Sequence, residues 1–214
     1  HHLLVPGMVN AHSHAFQRAF RGHVQFRGPG GDDFWSWREA MYTTAGRLDP
    51  EGVHAVSRLA FLEMAEAGFT HVGEFHYLHH QPGGRPYEDH DELARQVIRA
   101  AREVGLGITL LRVLYGRNGA GRPLGEHQLR FGDVGPEAAL RAVQRLQAGA
   151  GEGVNVGLAP HSVRAVPAPW LTELASFEGP VHAHVAEQPA ELEACRVEHG
   201  MDPLQVFENA GLLH

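Results

Sequence analysis

The sequence is poor in sulfur, in long apolar runs and in concentrated charge, and each shortage removes a class of protein. Cys195 is the one cysteine in 214 residues, so an intrachain disulfide is excluded and a reducing, cytoplasmic compartment is expected. With no activating neighbour in the sequence, it reads as an inert thiol. No apolar stretch approaches the roughly 18 residues that cross a bilayer, and no signal peptide is seen, so no membrane partner is expected. The formal net charge is −7, and the basic residues are scattered rather than striped, which argues against a nucleic-acid surface. No Gly-x-Gly-x-x-Gly turn follows the first β-like run, as a dinucleotide fold would require. Internal repeats and low-complexity segments are also lacking.

What is present is a soluble globular composition, 43% hydrophobic and 20% charged, with length for one substantial core. β-like runs alternate with helical ones. Strands are expected over 4–14, 70–75, 108–115, 154–159 and 181–185. Helices are expected over 33–47, 50–67, 89–104, 136–148, 169–176, 189–199 and 203–210. Asp49-Pro50-Glu51 reads as a helix opening, Asp49 capping and Pro50 in the first turn, and Gly68 and Gly105 read as helix stops. Such alternation predicts a parallel sheet with crossover helices. Five βα units in this length is a rate that would give eight in about 300 residues, and a (β/α)8 barrel typically takes about 250, more with insertions. The fold expected is therefore α/β, the first five units of a TIM-type barrel; a five-stranded doubly wound sheet is the alternative. The chain opens on His1-His2 rather than Met and closes on Gly211-Leu212-Leu213-His214, which resembles the start of another strand. Both ends read as cut, with strands six to eight expected outside residues 1–214.

The first strand ends in His12-Ser13-His14. Side chains alternate along a strand, so the two imidazoles share a face and can reach one metal ion. The spacing alone is weak, since 17 histidines in 214 residues supply about one such pair by chance, and His182/His184 is a second. Position adds weight, because catalytic groups of a barrel sit at the carboxyl ends of its strands. There the strands offer His12, His14 and Gln17; Glu74, His76 and Tyr77; Tyr115 and Arg117; His161 and Arg164; His182, His184 and Glu187. Only one of His182 and His184 need reach the centre. Glu187, three residues past His184, has the spacing of a general acid/base beside a metal ligand, although it could equally cap the following helix. His79, His80 and His90 read as loop surface.

The run Leu4-Val5-Pro6-Gly7-Met8-Val9-Asn10-Ala11-His12-Ser13-His14 resembles the first-strand signature of the amidohydrolase superfamily of metal-dependent barrel hydrolases. Together with Ala15-Phe16-Gln17-Arg18, Gly73-Glu74-Phe75-His76-Tyr77, Ala159-Pro160-His161-Ser162-Val163-Arg164 and His182-Ala183-His184-Val185-Ala186-Glu187-Gln188, it is similar to the formimidoylglutamate deiminases of histidine degradation. The resemblance implies that His12, His14 and His184 ligate one Zn2+, another divalent metal being an option. It implies Glu187 and His161 as catalytic residues. Gln17, Arg38, Tyr77, His161 and Arg164 would contact a small-molecule substrate carrying carboxylates. A fourth ligand and a catalytic histidine are expected beyond residue 214, as is a small β-domain, so these residues alone are expected to be inactive. A homodimer is left open. Two other readings stay open: another deaminase or chlorohydrolase of the superfamily, acting on guanine, an adenosine derivative or a triazine, and a zinc-binding protein without turnover.

Overall fold

The computed structural model describes residues 3–24 and 34–213. The readings of His1-His2, His214 and the helix start at Asp33 fall outside them. Four strands, β1 (Met8–Ser13), β2 (Phe69–His76), β3 (Gly107–Leu114) and β4 (Val154–Pro160), form one parallel sheet in that order. The helices are α1 (Phe34–Ala45), α2 (Pro50–Glu66), α3 (Glu92–Val104), α4 (Pro136–Ala148), α5 (Ala168–Glu173), α6 (Pro189–His199) and α7 (Pro203–Asn209). Short 3-10 helices cover Ala15–Phe20 and Glu126–Phe131. The expected βα alternation is therefore present, with strand 1 starting four residues later and α3 three residues later than the sequence suggested.

The expected fifth strand is the main difference. Residues 181–185 lie beside β4 in parallel, but only Leu158 and Val181 form a bridge. Three backbone bonds hold the segment. The Leu158 N–H donates to the Pro180 carbonyl at 3.0 Å, the His182 N–H to the Leu158 carbonyl at 3.1 Å, and the His184 N–H to the His161 carbonyl at 3.0 Å. With one bridge and these few bonds, the segment is extended backbone beside the sheet and not a regular strand.

β2, β3 and β4 are buried along most of their length, as strands covered on both faces must be. Leu110, Leu111, Val113 and Leu114 of β3 meet Leu158 and Ala159 of β4 in the core. α3 buries Leu93, Ala94, Val97, Ile98 and Ala101, spacings of three and four that put one apolar face on its neighbours. α2 opens as its sequence suggests, the Gly52 N–H donating to Asp49 at 2.7 Å. Gly105 ends α3 in the left-handed conformation at φ 79°, which costs a glycine nothing.

The sheet is strongly curved. His12 of β1 and His182 beside β4 stack at 5.0 Å although β2, β3 and β4 separate them in sheet order. Only a sheet curled toward a barrel brings its two edges within ring contact.

Candidate metal and substrate site

Three imidazoles converge at the carboxyl end of the sheet. His12 Nε2 lies 3.1 Å from His14 Nε2 and 3.3 Å from His184 Nε2, and among the described residues the ligand atoms of these three fall within 4.8 Å of one another. Nitrogens bound tetrahedrally to one zinc at about 2.0–2.1 Å stand roughly 3.3–3.4 Å apart, so the spacing suits a shared cation. Phe75 forms the floor, its ring centroid 4.3 Å from that of His184 and 5.2 Å from that of His14.

Local backbone geometry creates this convergence. Asn10 pairs with Val72 and Ser13 with Glu74, so one extra residue of β1 bulges opposite Gly73. A Cβ on Gly73 would sit 2.6 Å from the Ala11 carbonyl oxygen; the missing side chain is what lets the bulge lie flat. Bulges re-aim side chains at strand ends, and here His12 and His14 remain on one side with rings 4.7 Å apart. At the opposite edge, a Cβ on Gly157 would sit 2.5 Å from the Pro180 carbonyl, so a second glycine admits the segment carrying His184.

The imidazoles are oriented and kept neutral. His14 Nδ1 lies 3.0 Å from the Phe75 carbonyl, which fixes its proton there and turns the Nε2 lone pair inward. His12 Nδ1 lies 3.1 Å from His182 Nε2, so with Nε2 facing the centre, its Nδ1–H donates to His182. Burial lowers the pKa of His14 to about 4 and that of His184 to about 3, the neighbouring imidazoles adding to the effect. The pKa of His12 is also lowered, first by burial and then by His182. Neutral imidazole is the form that ligates metal.

A narrow cleft runs outward from His14 and His184. Gln17, Arg38, Tyr77, His161, Arg164 and Glu187 all line it, so the structure brings together every residue the sequence suggested for catalysis or substrate contact. It opens into a wider cavity of about 360 Å3 that shares Arg38, Arg164 and Glu187. Gln17 donates to the Tyr77 hydroxyl at 2.8 Å. Arg164 stands 3.9 Å from Glu187. Burial pushes the Glu187 pKa up, Arg164 opposes this, and Glu191 reinforces it. Burial also holds His161 well below the usual imidazole range, aided by His184 and Arg164. Ala186, at φ 59°, turns the chain between His184 and Glu187, a conformation an alanine adopts only when its surroundings impose it.

Other strand-end residues take different roles. Glu74 and His76 point away from Phe75, into the layer between sheet and helices. Glu74 accepts from the Ala15 N–H at 2.7 Å and His76 is buried against His79. His79 is also not on the surface: it is buried, with Nε2 2.9 Å from the Val113 carbonyl. Arg117 is a strut, donating to Glu198 of α6 and to the Val163 carbonyl. Of His182 and His184 only His184 joins the three-histidine cluster among the described residues, as the sequence suggested for one of the two, while His182 backs His12 through the His12 Nδ1. Tyr42 and Gln128 carried no spacing signal, because helix and loop packing put them here, and Phe75, on β2 between Glu74 and His76, was not read as part of the site.

The amidohydrolase family model matches residues 3–214. The formimidoylglutamate deiminase of Pseudomonas aeruginosa is 45% identical over 98% of this chain and 47% of its own length. A crystal structure of an amidohydrolase from Brucella melitensis, 42% identical, superposes with a TM-score of 0.87 over 95% of this chain and 46% of that one. The atrazine chlorohydrolase of Arthrobacter aurescens TC1, solved in complex with zinc, shares the fold at 21% identity and a TM-score of 0.76, over 97% of this chain and 46% of that one. The chain spans about half the length of the curated relatives it matches.

Proposed function

This chain belongs to the amidohydrolase family, and from that premise we propose that it is part of a zinc-dependent hydrolase that deiminates N-formimidoyl-L-glutamate to N-formyl-L-glutamate and ammonia. The observation that carries the reading is the pairing, in one cleft, of a neutral three-histidine cluster with Glu187 and two guanidinium groups, Arg38 and Arg164. The identity to the Pseudomonas aeruginosa deiminase supports the choice of substrate.

His12, His14 and His184 would hold the zinc; the Phe75 carbonyl and His182 fix which nitrogens face it. When bound, zinc supplies Lewis acidity and water of lowered pKa. The chain's own residues do the rest. In the reaction a C–O bond forms at the formimidoyl carbon and the bond to the departing nitrogen breaks. Glu187, its pKa raised by burial, suits a group that accepts a proton from water and returns it to that nitrogen as ammonia leaves. His161, neutral and beside the cluster, holds the reacting amidine. Arg164 and Arg38 pair with the two carboxylates, which guanidinium recognises through paired N–H donors. Gln17 and Tyr77, already bonded to each other, border the glutamate moiety.

Ammonia release from N-formimidoyl-L-glutamate by the protein at its full natural length tests this. Turnover that needs added zinc and is lost in Glu187→Gln is the expected result. A protein that loads zinc yet releases no ammonia from this substrate overturns it.

A further inference from the structure

The carboxylate end of the cleft contains a group whose polarity is set by one buried amide. Gln128 is 3% exposed, on the 3-10 turn between β3 and α4. Its Oε1 accepts from the Gly125 N–H at 2.9 Å, which fixes the orientation of the amide. Its Nε2 therefore faces three oxygens: Tyr115 Oη at 2.9 Å, Tyr42 Oη at 3.1 Å and Asn118 Oδ1 at 2.9 Å. An amide nitrogen donates and cannot accept. Neither tyrosine proton can point at Gln128, and both are left to donate elsewhere.

Arg164 lines the same cleft as Tyr115, and with Gln128 donating to the Tyr115 oxygen the Tyr115 proton is the part still to be used. Burial lifts the Tyr42 pKa to about 12, so that hydroxyl keeps its proton at neutral pH. Both rings line the cleft beside Arg38 and Arg164, with the Arg38 guanidinium 5.7 Å from the Tyr42 ring centre. Two cations and two forced donors converge on one end of the cleft. A neutral ligand end offers too few acceptors for such a set; a carboxylate offers about four lone-pair sites.

We propose that Gln128 is a positioning residue that holds the Tyr42 and Tyr115 hydroxyls as donors to a substrate carboxylate, making the two tyrosines specificity determinants beside Arg38 and Arg164. This rests on the deiminase reading and adds to it two contacts and the residue that orients them.

The test is Gln128→Glu in the zinc-loaded protein at full natural length. A carboxylate at this position only accepts, so it captures both hydroxyl protons and adds negative charge where the substrate brings its own. The ratio of kcat/KM for N-formimidoyl-L-glutamate over that for N-formimidoylpropylamine, which lacks carboxylates, is expected to fall about tenfold or more, mainly through KM, as for loss of a hydrogen bond to a charged group. Tyr115→Phe and Tyr42→Phe each remove one hydroxyl and keep the ring; they are expected to lower the same ratio severalfold, and they decide the matter if Gln128→Glu does not fold. Equal losses on both substrates, or an unchanged ratio, would mean that Gln128 only braces its turn. Should the wild type release no ammonia from either substrate, the deiminase reading fails. Calorimetric binding of glutarate then still decides the inference: about tenfold weakening by Gln128→Glu upholds it, and unchanged binding overturns it.

Discussion

At the scale of single residues, the site depends on which form each titratable group takes. Zinc needs neutral imidazole, and burial supplies it at His14 and His184. His184→Ala, which removes one of three converging nitrogens, is expected to bring bound zinc from about one per chain toward none, measured by elemental analysis. The exposed His90 serves as control, and His90→Ala should leave the zinc content unchanged. Glu74 shows the opposite side of burial. It is 1% exposed, and desolvation raises its pKa to about 8 from 4.5. Above pH 4.5 the unfolded chain releases this proton while the folded one keeps it, so stability falls as pH rises toward 8 and the penalty is constant beyond. Glu74→Gln keeps the shape and the acceptor for the Ala15 N–H. It should therefore match the wild type near pH 4 and exceed it by a few kcal/mol above pH 8, as read by urea unfolding across that range.

At the scale of elements, two glycines decide how close neighbouring backbones come. Gly73 accepts the β1 bulge and Gly157 accepts the segment bearing His184. Gly73→Ala must move the Ala11 carbonyl by several tenths of an ångström, and His12 is its next neighbour in sequence. We expect a loss of stability of about 1–3 kcal/mol, the usual range for overpacking, together with zinc binding weakened about tenfold or more, since ligand placement tolerates little error. Thermal unfolding and a competitive chelator titration would measure both. The bulge was not legible from His12-Ser13-His14. Alternation alone already put both histidines on one face, so the inference reached the right arrangement without its actual geometry. The fifth strand was over-read for a related reason. Val181–Val185 has a strand's composition, but regular pairing depends on partners that no local pattern specifies.

At the scale of the molecule, curvature makes the site and leaves apolar surface outside it. Leu4 is 98% exposed and Val9 63%, at the β1 edge, and Val181 and Val185 are partly exposed at the other. An apolar strand edge pairs readily with other chains. The isolated 214 residues should therefore self-associate at micromolar concentration, as seen by light scattering, and Val9→Lys should reduce this by placing a charge on the edge. Retention of a monomer by the unmodified chain would contradict that expectation. No helix among the described residues is long and apolar enough to cross a membrane.

The sequence alone determined the βα alternation, the helix caps and the identities of the polar residues at strand ends, because these depend on short-range periodicity and on the chemistry of neighbouring residues. Asp49, Gly105 and the His12–His14 spacing are all of that local kind. Only the tertiary structure decided that His184 and His182 both meet His12, that Glu74, His76 and His79 turn away into the packed layers, and that Gln128 faces two tyrosines. Those outcomes depend on the curl of the sheet and the path of the loop before α4. Both are set by packing between residues far apart in the chain, which periodicity does not encode.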